Sequence, residues 1–230
     1  MHYKLSKFKK MKKLLLFLLL TGFGFMAKAQ YYPIKFGFKA GATYATLSAY
    51  SVEGEETEAD YITSFYGGAT IEMLFSETFS LQSGLSYVGK GFKGSAEADF
   101  FGEPVSFEAE MNLNYLELPL NAILSIPSAD GNIFVGGGPY FAYGLSSKSN
   151  FVFKMGDEEV SSEDFDVEPV KFGDGLRPTD YGVNLLLGYR MYSGLSISAG
   201  YGLGLQSVAE DPDNADRKVK NRHFSLGLGF

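Results

Sequence analysis

His223 and Ser225 are the residues of this chain whose types and spacing come nearest to catalytic chemistry. Residues two apart on a β-strand share a face, so the pair could set an imidazole base beside a hydroxyl nucleophile. The sequence marks neither a third member nor an oxyanion hole, and without those a Ser–His pair does little. The commoner place for such a histidine is the surface or a water–lipid interface. Catalytic residues are therefore predicted as none, with a lipid-modifying enzyme built on His223 as an alternative.

Metal chemistry is marked no better. The chain has no Cys, which removes thiolate metal sites, Cys nucleophiles, disulfides and a lipid-bearing Cys. It has two His, one of them in the first few residues, too few for most transition-metal cages. The acidic runs "EGEETEAD" (53–60) and "DEEVSSEDFDVE" (157–168) lack the Asp and Gly spacing of a calcium loop. They read as solvated loops, with bridging through divalent ions to lipopolysaccharide as a further role. The glycine runs lack the Lys-Ser/Thr of a phosphate loop. No cofactor is expected.

The remaining chemistry is ionic. Lys39, Glu72, Lys90, Glu117, Asn121 and Arg190 sit in segments of period-two alternation, each in phase with glycines and small polar residues. In "KFGFKAGATY", Phe36, Phe38, Ala40, Ala42 and Tyr44 fall on one face; Lys35, Gly37, Lys39, Gly41 and Thr43 fall on the other. Leu116, Leu118, Leu120 and Leu124 oppose Glu117 and Asn121; Val183, Leu185, Leu187 and Tyr189 oppose Gly182, Asn184 and Arg190. If the apolar face meets lipid, these charges line a polar interior and should pair there.

The elements that would position them are eight strands, near 35–46, 63–75, 79–92, 112–125, 132–146, 180–191, 195–206 and 220–230. Most are long enough to cross hydrocarbon when tilted. Their connections alternate. "SET", "SIPSADG" and "YSG" are short, whereas 48–60, 93–110, 147–179 and 207–218 are long and mostly acidic. Short turns at one end and long loops at the other mark an outer-membrane barrel with both termini in the periplasm. Aromatic residues gather at both strand ends: Tyr31, Tyr32, Phe36, Phe75, Phe79, Tyr189, Tyr192 and Phe230 near the turns, Tyr44, Phe65, Tyr87, Tyr143, Tyr181 and Phe224 near the loops.

The first 29 residues read as a cleavable secretory signal: a basic start, an apolar run and "MAKAQ" as the cleavage site, with Met11 as an alternative start. The domain is then 30–230. The signal holds seven of the 20 Lys and Arg and no acid, which leaves 13 bases against 27 acids, a net of −14. So acidic a chain is a poor nucleic-acid binder.

The segments "FGFKAGATYATL", "FSLQSGLSYVGKG", "NYLELPLNAIL", "GGGPYFAYGL" and the terminal "SLGLGF" resemble the porin-family outer-membrane β-barrel domain, the PorT-like and outer-membrane protein A-like barrels of Gram-negative bacteria. The resemblance implies an all-β, eight-stranded antiparallel up-and-down transmembrane barrel, spanning the whole mature chain. It also implies that Phe224, Leu226, Leu228 and Phe230 form the C-terminal signal read by the barrel-assembly machinery. Gly84 stands where relatives often carry an acid, so the family's interior ion-pair pattern does not transfer as it stands. The expected protein is a monomeric, non-enzymatic barrel among outer-membrane lipids and lipopolysaccharide, structural or binding through its loops. Its interior is expected to be filled by side chains. A narrow porin or transporter, a soluble apolar-ligand barrel and a part of a secretion apparatus are the other readings.

Overall fold

A computed structural model describes residues 33–50, 56–100, 103–155, 158–161, 170–210 and 218–230. The expected signal segment 1–29 lies outside these residues, as do Tyr31 and Tyr32. The described chain is almost entirely strand. Eight long strands follow one another in sequence: β1 (Ile34–Tyr50), β2 (Ile62–Leu74), β3 (Phe79–Phe100), β4 (Glu103–Ser128), β5 (Gly131–Met155), β6 (Thr179–Met191), β7 (Ser196–Gly204) and β8 (Lys218–Gly229). Each pairs antiparallel with the next, and β8 returns to pair with β1. The sheet is a closed ring, so no edge of these strands is left with unpaired backbone. Closure runs to the last residue. The Phe38 N–H donates to the Phe230 carbonyl at 2.8 Å, and the Phe230 N–H donates back at 2.9 Å.

The two stripes of each strand separate as their chemistry demands. Phe36 is 79% exposed, Leu185 63% and Phe230 73%, all on the outer wall. Lys90 and Glu117, on the inner wall, are 1% and 5% exposed. Leu118, Leu124, Val135, Phe141, Leu187, Leu226 and Leu228 also face outward. A continuous apolar exterior of this size is unstable in water, and it matches hydrocarbon. Aromatic rings border the apolar belt and stack between strands: Phe65 on Tyr87 at 5.1 Å, Tyr44 on Tyr61 at 4.5 Å, and Tyr201 against Phe224 at 4.8 Å near the loop end. Phe75 and Phe79 lie 5.8 Å apart at the turn end. No helix among the described residues is long and apolar enough to span a membrane; the strands do the crossing.

Three strands are longer than the sequence pattern suggested. β3, β4 and β5 continue past the aromatic border as a projecting ladder, in which Lys93 pairs with Glu110, Ala98 with Val105, and Phe107 with Phe153. The acidic stretch 93–110, read above as a loop, is therefore mostly hairpin. Its small and apolar residues still alternate, at Ala96, Ala98, Val105, Phe107 and Ala109, but frequent acids hide the pattern. Gly91, opposite Asn112, has φ 144°, and the register of β4 with β5 shifts between Asn114 and Tyr115 close by. Such irregularities bend a strand and increase its twist, and here they lie where the ladder leaves the barrel.

Candidate functional site

The interior residues come from alternate positions along the strands, and the ring sets their partners. Lys90 of β3 is the centre of the first cluster. Its ammonium lies 3.0 Å from Glu117 Oε2 of β4 and donates to Asp180 Oδ2 of β6 at 3.1 Å. It also sits 4.3 Å from the centroid of the Tyr140 ring and 5.1 Å from that of Tyr115. Asp180 Oδ2 takes three donors, adding the Tyr140 hydroxyl at 3.2 Å and the Asn221 amide at 3.0 Å. Asn221 also reaches the Tyr115 hydroxyl at 3.3 Å, and the Asn184 amide donates to Glu117 Oε1 at 3.4 Å. The Lys90 side chain has no exposure at all. A fully buried ammonium is tolerated because two carboxylates and two aromatic faces replace its water.

An apolar lid explains that burial. Leu47, Leu113, Tyr115, Tyr140, Ala142, Leu176 and Val208 form one buried cluster, with Phe172 packed against it. Leu176 and Phe172 belong to the connection after β5, and Val208 to the one after β7. Backbone bonds fasten this connection inward: the Gly144 N–H to the Pro178 carbonyl at 2.8 Å, and the Arg177 N–H to the Val208 carbonyl at 2.8 Å. The Phe172 ring meets Tyr115 edge-on at 5.2 Å and lies over Gly144, where a Cβ would come within 2.6 Å of the ring. Gly144 makes room for the lid.

A second cluster lies towards the turns. Arg190 of β6 reaches Glu72 of β2 at 2.9 Å, and these strands stand on opposite sides of the ring. The Ser80 hydroxyl donates to Glu72 Oε1 at 2.5 Å, and the Arg190 guanidinium lies 5.3 Å from the Phe134 ring centroid. Between the clusters is a cavity of about 520 Å³. It reaches the turn end, where Lys35, Ser193 and Phe230 line it, and extends inward to Glu117 and His223. The interior is thus filled only in its loop-side half. The expectation of a filled lumen is corrected for the other half, where glycines and serines of β7 and β8 leave the space open.

The six interior residues chosen from sequence fall as follows. Lys90 and Glu117 meet, and so do Glu72 and Arg190. Asn121 is 2% exposed and its Oδ1 has no hydrogen-bond partner among the described residues. Lys39 lines the cavity with its ammonium 5.8 Å from the Tyr66 ring centroid, and its partner strands offer Gly68 and Gly229 in register. Sequence reasoning missed Asp180, Tyr115, Tyr140 and Asn221. Asp180 was legible: it precedes Gly182 and Asn184 in the same phase. Tyr115 and Tyr140 carry no mark of their own in the sequence beyond sharing the inward phase of their strands. His223 was placed at the surface or an interface, whereas it is 6% exposed on the inner wall, its ring over Gly202. The ring lies where a Cβ of residue 202 would stand, so a larger residue in β7 would displace the imidazole. Ser225 shares its face, but no hydrogen bond joins the two among the described residues, and His223 Nδ1 has no partner there. No group of three or more metal-ligating side chains occurs among the described residues.

A closed antiparallel ring, greasy outside and ionic inside, defines a transmembrane β-barrel of the outer-membrane type. The sequence profile of the outer membrane protein beta-barrel domain family matches residues 28–210, and the chain belongs to that family. Its compartment is accordingly the outer membrane. No curated protein matches the chain. Among solved structures it is similar to Neisserial surface protein A, with 14% identity over 86% of this chain and 97% of that one, TM-score 0.42. It is also similar to Ail, the attachment invasion locus protein of Yersinia pestis, with 10% identity over 84% and 96%, TM-score 0.34. The N-terminal beta-barrel domain of Pseudomonas aeruginosa OprF shows 10% identity over 84% and 97%, TM-score 0.29.

Proposed function

We propose that this barrel is a non-enzymatic outer-membrane protein of a Gram-negative bacterium, acting as a scaffold and as a surface-binding element through its loop end. The observation that carries this reading is the sealed and projecting loop end. The lid and the Lys90 cluster block passage through the barrel, while the β3–β5 ladder extends beyond the apolar belt. That ladder carries exposed Phe107 and Phe153 side by side, a contact surface of the kind a partner can cover. The long loops face outward and the short turns and both termini face the periplasm, the usual arrangement of such barrels. The outer wall is solvated by membrane lipid and lipopolysaccharide, and the chain is a monomer. Phe224, Leu226, Leu228 and Phe230, all outward, form the strand presented to the barrel-assembly machinery.

Single-channel recording in planar bilayers, joined to protease digestion of intact cells, tests this reading. The refolded chain should give no discrete conductance steps, and cleavage should fall between residues 93 and 110 rather than at Ser193 or Gly194. Steps of defined size would replace it with a narrow channel. Cleavage at the short turns alone would reverse the orientation.

A further inference from the structure

We propose that the turn-end cavity is a binding cup for a small organic anion whose charged group is held by Lys39. The charges around the cavity are unbalanced. Seven ionic side chains line the interior and the cavity, and an eighth, Glu77, borders a small neighbouring pocket at the turn end; of the seven, three are acids and four are bases. The three acids are engaged: Glu72 by Arg190 and Ser80, Glu117 by Lys90 and Asn184, and Asp180 by Lys90. Two of the four bases, Lys90 and Arg190, answer them. Lys39 and Lys35 have no carboxylate within 4.0 Å among the described residues, and both line the cavity. They lie on one face of β1, four residues or about 13 Å apart, one deep and one at the mouth. Lys39 is partly buried and feels the Glu117 carboxylate only from beyond ion-pair distance, so an incoming anion would give it the direct partner it lacks.

The wall of the cavity is polar as well. Thr70, Ser196, Ser198 and Ser225 present hydroxyls to the same space, and His223 Nδ1 is buried there with no hydrogen-bond partner among the described residues. Rotating hydroxyls and an imidazole N–H can donate to an anion. The volume of about 520 Å³ falls within the range of small-molecule sites. Entry is from the turn end, because the lid closes the other. The cup does not depend on the surface-binding role, and either can fail alone.

The test uses the refolded full-length mature barrel in zwitterionic detergent at low salt, titrated calorimetrically with citrate and with inorganic phosphate. Glucose and spermidine serve as neutral and cationic comparators. Saturable binding of one of the anions is expected, weakened by added sodium chloride. Lys39→Gln should lower the affinity at least about tenfold, a loss of ~1.4 kcal/mol. Lys39→Arg should retain most of it, and Lys148→Gln, on the outward ladder, should change nothing. Folding of each variant is read from heat-modifiable gel migration. Lys39→Gln should fold, since it leaves no ion pair broken. Failure of both anions to saturate, or equal affinity in Lys39→Gln, would overturn the proposal.

Discussion

Lys90 and Asp180 are 90 positions apart in the chain, and their side chains meet at 3.1 Å in the middle of the barrel. Asp180 spends one oxygen on three donors, and Lys90 divides its charge between two carboxylates. Their pairing joins β3 to β6 across the lumen, directly beneath the lid.

Removing the cation should therefore cost more than removing either acid. Lys90→Met leaves Glu117 and Asp180 as enclosed like charges, and breaking such a pair is destabilising by about 3–5 kcal/mol. Asp180→Asn keeps three polar partners and should cost about 1–3 kcal/mol. Urea unfolding of the barrel in lipid vesicles measures both. Equal midpoints for Lys90→Met and the native chain would mean that the cluster does not hold the strands together.

The turn-side bridge should be the weaker of the two. The Arg190 side chain is 23% exposed and borders the cavity, so water reaches it when its partner is lost. Glu72→Gln is expected to lower stability by about 1–3 kcal/mol, less than Lys90→Met in the same assay. A larger loss would show that the cross-barrel bridge, and not the lid-side cluster, is the main internal brace.

Orientation of the wall is open to a direct test. Leu185 stands midway between Tyr181 and Tyr189 on the outer face. Leu185→Arg places a charge near the bilayer midplane, at a cost of about 2–4 kcal/mol. Leu185→Phe should be tolerated. If Leu185→Arg refolds with an unchanged midpoint, the leucine does not face hydrocarbon.

The projecting ladder should respond to acid. Lys93 lies 2.9 Å from Glu110, and hydrogen bonds from Lys93 and Asn112 hold the Glu110 carboxyl below its ordinary value of 4.5. A carboxyl lowered by folding stabilises the folded form above its ordinary value, and that support is lost as pH falls through the lowered one. Both side chains are partly exposed, so the effect is small and screened by salt. Amide hydrogen exchange in 93–110, measured across that range and corrected for its intrinsic pH dependence, should show protection falling in acid. Glu110→Gln should abolish the change, and persistence of the change in that variant would assign it to another group.

Much of this was written along single strands. Alternation at period two told which residues share a face, because the pleat sends neighbours to opposite sides whatever the rest of the chain does. The short and long connections told which strand ends lie together. The run of Lys39, Glu72, Lys90, Glu117, Asn121 and Arg190 in the glycine phase could be read in the same way, as could the outward Phe224, Leu226, Leu228 and Phe230. What one strand cannot specify is which inward residues meet. That depends on ring closure, on the tilt that sets the level of each strand, and on what seals the ends. Hence Asp180 and Tyr140 emerged as partners of Lys90 only in the folded barrel, Phe172 and Leu176 emerged from a connection as a lid, and His223 moved from an interface to the lumen. The sequence by itself determined an outer-membrane barrel with charges inside, because local periodicity and the demand for a closed hydrogen-bonded ring leave few other solutions. Only the tertiary structure decided that one half of the lumen is packed and the other hollow, because packing is a sum over strands distant in the chain.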